Sequence, residues 1–175
     1  MGTVSNGSTR GELSSAAEFS RFYREYSPTV YGYLHRLCAG DRAVAEDLTQ
    51  DTWFALVREL GAGNDQCADV RWLLVVARSR FIDWARREQR AVAKLSLLRS
   101  TVDDIHDETI ETGEVVALLD ELRPLHRVVL VMRYVEGMPV PAIAGELGRS
   151  VTSTNSLLAR ARAELRRTRQ GGSDE

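Results

Sequence analysis

Arginine clusters are the chemistry-bearing feature of this sequence, because a guanidinium pairs with phosphate and also stacks on exposed bases. The stretch 71–94 carries seven basic and two acidic residues, a net charge of +5. The stretch 149–169 carries six arginines and one glutamate, again +5. Between them, residues 101–121 hold eight acidic side chains and no lysine or arginine. Two basic islands on either side of an acidic one indicate that the protein binds a polyanion at two places. The alternative is that these charges belong to solvated helix faces.

The second basic island lies in a helix-turn-helix pattern. Ala144 precedes Gly148 by four residues, with apolar positions on both sides. A small residue is needed where two helices cross, and a glycine where the turn requires a positive φ. Ser150 can cap a second helix, whose N-terminal end then faces a DNA major groove. A plain αα-hairpin is the alternative interpretation. The candidate DNA-contacting residues are Arg149, Ser150, Ser153, Asn155, Ser156 and Arg160.

The first basic island combines arginines with aromatic side chains on one helical stretch. This mixture suits nucleic acid with partly unstacked bases, because stacking and phosphate contact act together. The tryptophans at positions 72 and 84 also fit the apolar spacing, which favours the core over base stacking for both. The predicted apolar line is Leu74, Ala77, Phe81 and Trp84. The candidate nucleic-acid residues are Trp72, Arg78, Ser79, Arg80, Asp83, Arg86, Arg87 and Arg90.

A third group of residues forms an acidic face that includes an aromatic side chain. Asp47, Gln50, Asp51 and Phe54 are spaced i, i+3, i+4 and i+7, so they share one face of one helix. An acidic face repels DNA but suits the docking of another protein. A solvated helix face is an equal alternative.

The elements that position these groups are predicted to be helices, since no strand-type alternation occurs. In the first half we predict helices over 15–25, 28–39, 41–60 and 69–90, with caps at Asp41 and Asp69. In the second half we predict helices over 114–122, 124–135, 139–147 and 151–169. The predicted fold is all-α, with two small helical modules joined by an acidic flexible linker and a helix-turn-helix as the second module. The predicted segments are a tail 1–13, a module 14–92, a linker 93–113, a module 114–169 and a tail 170–175.

Composition excludes several classes of protein. The chain has 175 residues, of which 43% are hydrophobic and 27% charged, as in globular proteins. It has no apolar run long enough to span a membrane and no signal-peptide pattern, so we expect a cytoplasmic protein without membrane insertion. Three scattered histidines and two cysteines predict no catalytic site, no metal site and no cofactor. Cys38 and Cys67 are predicted to be ordinary buried or partly buried thiols rather than a redox switch.

The order of four motifs resembles the extracytoplasmic-function sigma factors of the sigma-70 family. Ala-Glu-Asp-Leu-x-Gln-Asp ends at Asp51, and Trp-Leu-x-x-x-Ala-Arg-x-Arg-x-x-Asp begins at Trp72. Leu-x-x-Leu-x-Pro-x-x-Arg follows and ends at Arg127, before the helix-turn-helix. The resemblance covers roughly residues 16–167.

The resemblance implies a function for each module. The first module would dock on core RNA polymerase through Asp47, Gln50, Asp51 and Phe54 and would melt the promoter −10 element with the first basic island. The loop 61–69 would capture a flipped base. The second module would bind the −35 element, and the implied partners are core RNA polymerase, promoter DNA and a cognate anti-sigma factor. A stand-alone helix-turn-helix regulator is the alternative, although it leaves the acidic face and the first island without a role.

Two positions depart from the family pattern and bear on promoter choice. Ser79 stands where the family often has asparagine, and Asn155 stands where it usually has lysine. An asparagine amide suits N6 and N7 of adenine in the major groove. We predict that Asn155 reads an adenine of the −35 element while Arg149 and Arg160 fix the register on phosphates. A contact of Asn155 with phosphate alone is the alternative.

Overall fold

Helices account for almost all of the structure. The computed structural model describes residues 16–95 and 119–171, and these residues include no β-strand. The helices are α1 (Ala16–Leu37), α2 (Arg42–Gly61), α3 (Val70–Leu95), α4 (Pro124–Leu130), α5 (Val140–Glu146) and α6 (Val151–Gly171). A 3-10 turn (Asp65–Cys67) precedes α3, and α4 continues as a π-helical turn (Val131–Val135). The predicted all-α class is confirmed.

One continuous helix, α1, replaces the two helices that we predicted around Ser27-Pro28. Pro28 lies inside it. A proline inside a helix removes one backbone hydrogen bond, which is why the sequence favoured a break. Packing on both sides of the proline outweighs this loss: Phe22 and Tyr26 pack against the core before it, and Val30 and Leu34 are buried after it.

The predicted caps of α2 and α3 are confirmed, but the end of α3 is not. The carboxylate of Asp41 accepts a hydrogen bond from the Val44 amide at 3.1 Å, and that of Asp69 accepts one from the Arg71 amide at 3.0 Å. Helix α3 ends at Leu95, so residues 93–95 are helical rather than part of the linker. The rest of the predicted linker, the helix start at position 114 and the tail 1–13 lie outside the described residues.

The apolar line of α3 differs by one position from the predicted line. Leu73 is fully buried, with Ala77 and Phe81 beneath it, whereas Leu74 is only half-buried. Positions 73, 77 and 81 repeat every four residues, so they form one stripe along the helix. This stripe faces α1 and α2, which both contact α3.

The second module is a helix-turn-helix that is anchored by a buried arginine. Arg127 of α4 donates hydrogen bonds to the carbonyl oxygens of Leu119 at 2.7 Å, Leu122 at 2.8 Å and Asp120 at 3.0 Å. These bonds hold the turn that precedes α4. They give a physical role to the last residue of the Leu-x-x-Leu-x-Pro-x-x-Arg motif.

The two modules pack against each other, which the sequence did not predict. Helix α4 contacts both α1 and α3, and one continuous apolar core includes residues of both modules. The Arg127 guanidinium also donates to the carbonyl oxygen of Leu37, the last residue of α1, at 2.5 Å. The described structure is therefore a closed arrangement of the two modules.

Candidate nucleic-acid interface

The acidic face of α2 is exposed, as predicted. Asp47, Gln50 and Asp51 lie at the surface, and within the described residues their side chains make no hydrogen bond or ion pair. Phe54 is 71% exposed, although it is a large apolar side chain. The opposite side of α2 is buried, for example at Leu56. The sequence therefore placed this face correctly, and its four side chains are free to meet a partner.

The basic face of α3 is only partly exposed. Ser79, Arg87 and Arg90 lie at the surface, while Arg80 is half-buried. Arg78 differs from our expectation of an exposed face, because it is 7% exposed and buried between the modules. The spacing of residues along α3 could not predict the burial of Arg78, because it carries no information about the second module, which packs against α3.

Arg78 and Arg86 are both occupied by groups of the second module. The Arg78 guanidinium donates to the carboxylate of Glu136 and lies 3.6 Å from that of Glu146. Arg86 donates to the backbone carbonyl oxygen of Leu147 and lies 3.4 Å from Asp83 on its own helix. The roles of Glu136 and Glu146 could not be predicted from local sequence patterns, because their partner, Arg78, lies about sixty residues earlier in the chain.

An open basic cleft joins the two basic islands. It has a volume of about 520 Å³ and lies where α3 meets the helix-turn-helix. The two islands, separated by an acidic stretch in the sequence, therefore contribute to one surface in the closed arrangement. The cleft is lined by Asp83, Arg86, Arg87, Gln89, Arg90 and Arg149.

The aromatic side chains of α3 belong partly to the core. Trp72 and Trp84 are half-buried and pack against the apolar core. The centroids of the Trp84 and Phe81 rings lie 5.4 Å apart. This agrees with the prediction that their spacing favours packing. In the loop 61–69, Gln66 is exposed while Cys67 is buried.

The turn of the helix-turn-helix has the predicted geometry. Gly148 adopts a φ of +54°, and Ala144 is 3% exposed where α5 and α6 cross. The Ser150 hydroxyl oxygen accepts a hydrogen bond from the Ser153 amide at 3.1 Å, which confirms Ser150 as the cap of α6. Thr154 is fully buried, and its hydroxyl donates to the Ser150 carbonyl at 3.0 Å.

The outer face of α6 carries the remaining predicted DNA-contacting residues. Asn155 is exposed, and its amide makes no hydrogen bond within the described residues. Ser156 and Arg160 are also exposed, although each donates to a backbone carbonyl of its own helix. Ser153 and Arg149 are half-buried. Asn155 is thus the most available side chain for reading a base.

A cluster of Glu164 with Arg123 and His126, missed in the sequence, stabilises the second module. The Glu164 carboxylate accepts hydrogen bonds from Arg123 at 2.6 Å and contacts the His126 ring nitrogen at 2.5 Å. Burial of this carboxylate raises its pKa, but the hydrogen bonds from His126 and Arg123 outweigh burial and hold the pKa at about 2. The cluster joins the start of α4 to α6.

The two cysteines are buried thiols, as predicted. Burial raises the pKa of the Cys38 thiol to about 12, and the Cys67 thiol donates to the Asn64 carbonyl at 2.8 Å. The part of the chain that the structure describes contains no cluster of residues able to hold a metal ion. None of its helices is long and apolar enough to cross a membrane.

Comparison with known proteins identifies the family. The signature "Sigma-70 region 2" matches residues 22–91, and "Sigma-70, region 4" matches residues 112–165. The RNA polymerase sigma-E factor of Streptomyces avermitilis is 30% identical over 153 residues, which cover 85% of this chain and 83% of that protein. This chain belongs to the sigma-70 family.

Further relatives narrow the group within the sigma-70 family. The ECF RNA polymerase sigma factor BldN of Streptomyces coelicolor is 28% identical over 90% of this chain, which spans 62% of the length of BldN. The sigma factor RpoE of Bartonella quintana, solved in complex with the anti-sigma factor NepR, shares the fold. The superposition of the two structures has a TM-score of 0.51 and a sequence identity of 18%, and it covers 87% of this chain and 97% of RpoE. The predicted membership in the extracytoplasmic-function sigma factors is therefore confirmed.

Proposed function

We propose that this sigma factor directs core RNA polymerase to a specific set of promoters, with one surface for the polymerase and two for DNA. The observation that carries the proposal is the combination on one chain of an exposed acidic face, a basic helix and a helix-turn-helix. The two halves match sigma-70 regions 2 and 4 in that order. A stand-alone helix-turn-helix regulator would account for region 4 alone.

The polymerase surface is the acidic face of α2. The exposed ring of Phe54 provides an apolar centre, and Asp47, Gln50 and Asp51 provide unpaired polar groups around it. An aromatic side chain surrounded by polar groups is the usual composition of a protein interface. The partner surface on core polymerase is then expected to be basic.

The −10 surface is α3 together with the loop 61–69. Arginines of α3 would hold the phosphates of the melted strand, and the half-buried Trp72 lies at the end of the helix that is next to this loop. Melted DNA exposes the faces of its bases, so a groove with cationic and aromatic groups binds it in preference to a duplex. The loop would receive a flipped base. The α3 residues of this surface are Trp72, Arg78, Ser79, Arg80, Asp83, Arg86, Arg87 and Arg90.

The −35 surface is the N-terminal half of α6. Exposed Asn155 reads a base edge, while Arg149 and Arg160 contact phosphates on either side. Ser150 fixes the start of the helix, so the amide of Asn155 enters the groove at a defined depth. Ser153 and Ser156 complete the contact.

Regulation by a partner protein is also part of the proposal. In the Bartonella quintana structure the sigma factor RpoE is in complex with an anti-sigma factor. We extend this arrangement to the present chain, whose DNA and polymerase surfaces a cognate anti-sigma factor would cover. The chain would act in the cytoplasm, as a binding subunit without catalytic activity of its own.

Co-purification with core RNA polymerase tests this function. The tagged chain should elute with core polymerase in gel filtration, and the free chain should bind promoter DNA weakly, since two small surfaces gain affinity when a scaffold fixes their spacing. Tight, specific duplex binding by the free chain, without any binding to polymerase, would instead support the stand-alone regulator.

A further inference from the structure

One apolar side chain is exposed at the start of the helix that we propose binds the −35 element. Val151 is the first residue of α6, directly after the cap residue Ser150, and it is 45% exposed. Within the described part of α6, no other large apolar side chain is exposed. None of the contacts proposed above uses this side chain. The buried leucines of the same helix are Leu157, Leu158 and Leu165.

Helix formation and core packing do not account for a valine at this position. Valine is a weaker helix former than alanine, because its branched Cβ restricts the side chain in a helix. The start of α6 is fixed instead by the Ser150 hydroxyl, which accepts a hydrogen bond from the Ser153 amide. Val151 does not belong to the apolar residues packed against the core, whereas Val140 of α5 does. Exposure alone assigns no function, since single apolar side chains are common on surfaces, so the position of Val151 on α6 is the informative property.

Val151 lies on the same side of α6 as Asn155. Residues four apart on an α-helix are about 40° apart around the axis and about 6 Å apart along it. Asn155 is exposed, and its amide makes no hydrogen bond within the described residues. When this amide faces the floor of the major groove, the isopropyl group of Val151 faces the groove one turn closer to the start of the helix. The N-terminal end of a recognition helix is the part that contacts base edges.

The major groove offers one methyl group to such a side chain, the C5 methyl of thymine. The other groups that identify a base pair there are hydrogen-bond donors and acceptors, which an isopropyl group leaves unpaired. The separation of about 6 Å between Val151 and Asn155 along α6 corresponds to about two base-pair steps of about 3.4 Å. A thymine that Val151 contacts therefore lies within about two base pairs of the base pair that Asn155 contacts.

We infer that Val151 is a specificity-determining residue that recognises the C5 methyl group of a thymine in the −35 element, next to the base pair contacted by Asn155. This inference rests on the proposed binding of the −35 element by α6. It adds an apolar contact to the polar contact proposed for Asn155. The two side chains together would then select two nearby base pairs of the promoter.

The experiment removes the thymine methyl and the valine methyls separately and together. The probe is a synthetic duplex of a promoter that the holoenzyme uses in vitro, in which deoxyuridine replaces each thymidine of the −35 element in turn. Deoxyuridine pairs with adenine as thymidine does and lacks only the C5 methyl group. The affinity of holoenzyme for each duplex is measured with the wild-type chain and with Val151→Ala. Alanine is the best helix former, so α6 should stay folded in this variant, and circular dichroism checks it.

Two control variants separate Val151 from general effects of a lost methyl group. Val75→Ala removes the same atoms from a valine of matched exposure, 44%, on α3. Thr152→Ser removes one methyl group from the exposed residue that follows Val151 on α6. Both control holoenzymes should respond to every deoxyuridine substitution as the wild type does.

For the wild-type holoenzyme, deoxyuridine at one position should weaken binding about fourfold, or about 0.8 kcal/mol, which is the free energy of burying one methyl-sized group. Val151→Ala should weaken binding to the unmodified promoter by a similar factor, because the partner of the thymine methyl is lost. Deoxyuridine at the same position should then cause no further loss in Val151→Ala. This dependence of one effect on the other is the signature of a direct contact.

Three results would overturn the inference. The first is a deoxyuridine response, or a lack of one, that is identical in the wild type and Val151→Ala at every thymine of the −35 element. The second is a response that is lost in Thr152→Ser but kept in Val151→Ala, and the third is a −35 element without a thymine on either strand. A holoenzyme that binds no promoter duplex would refute the proposed function, whereas specific binding without any methyl effect would refute the role of Val151 alone.

Discussion

Arg127 of α4 donates a hydrogen bond to the carbonyl oxygen of Leu37, the last residue of α1, across 2.5 Å. The same guanidinium holds three carbonyl oxygens of the turn before α4, and its side chain is 4% exposed. Burial lowers the pKa of Arg127. One buried cation therefore stabilises the second module and also joins it to the first.

Arg127→Met should destabilise the chain by roughly 2–5 kcal/mol, because it leaves four carbonyl groups, three of them in buried hydrogen bonds, without their donor. The measurement is urea unfolding followed by circular dichroism. Arg160→Met is the control, since Arg160 is exposed, and its effect should stay within about 0.5 kcal/mol. Equal stability of the two variants would show that Arg127 is not a structural anchor.

Asp51→Arg should weaken binding to core polymerase by at least about tenfold, or about 1.4 kcal/mol, because it places a positive charge against a basic partner surface. The fold should be unchanged, since Asp51 is exposed and has no bonded partner among the described residues. The control Glu25→Arg makes the same charge change on α1. Equal polymerase affinities of the Asp51→Arg and Glu25→Arg variants would mean that the α2 face is a solvated surface and does not bind polymerase.

Asn155→Ala should relax the preference at one base pair of the −35 element by about 1–3 kcal/mol, because the planar amide is lost from an exposed position. The salt dependence of binding should stay almost the same. Arg160→Ala should show the opposite pattern, with a weaker salt dependence and unchanged base preference. Competition binding of holoenzyme to single-base variants of a bound promoter measures both. A uniform loss for Asn155→Ala across all sequences would mean that the residue only touches phosphate.

Acid should destabilise the second module through Glu164. Its pKa is held at about 2 in the folded chain, below the ordinary value of 4.5, so its carboxylate stabilises the fold fully above pH 4.5. That contribution is lost as the pH falls from 4.5 towards 2. Melting temperatures should therefore fall more steeply over this range for the wild type than for Glu164→Gln. Glu121→Gln, at an exposed site, should keep the wild-type pH dependence; a Glu164→Gln profile that follows it would disprove the assignment.

Local chemistry made most helix boundaries predictable, and tertiary packing explains the errors. Asp41 and Ser150 cap their helices through bonds within three residues, so their roles could be derived from the sequence. The break expected at Pro28 was wrong because burial on both sides of the proline outweighs one lost hydrogen bond. The pairing of Arg78 with Glu136 spans 58 residues, and no local spacing encodes it. Sequence patterns thus predicted that the α2 face and Asn155 are exposed, but they did not predict which groups cover α3.

Mapping of transcription start sites in vitro tests the central claim most directly. Core RNA polymerase is incubated with the purified chain and genomic DNA of the organism that encodes it, and the 5′ ends of the transcripts are sequenced. We predict a limited set of start sites that share one −35 and one −10 motif, that are absent with core polymerase alone and that are depleted by Asp51→Arg. Start sites identical to those of core polymerase alone would contradict the assignment of this chain as a promoter-directing sigma factor.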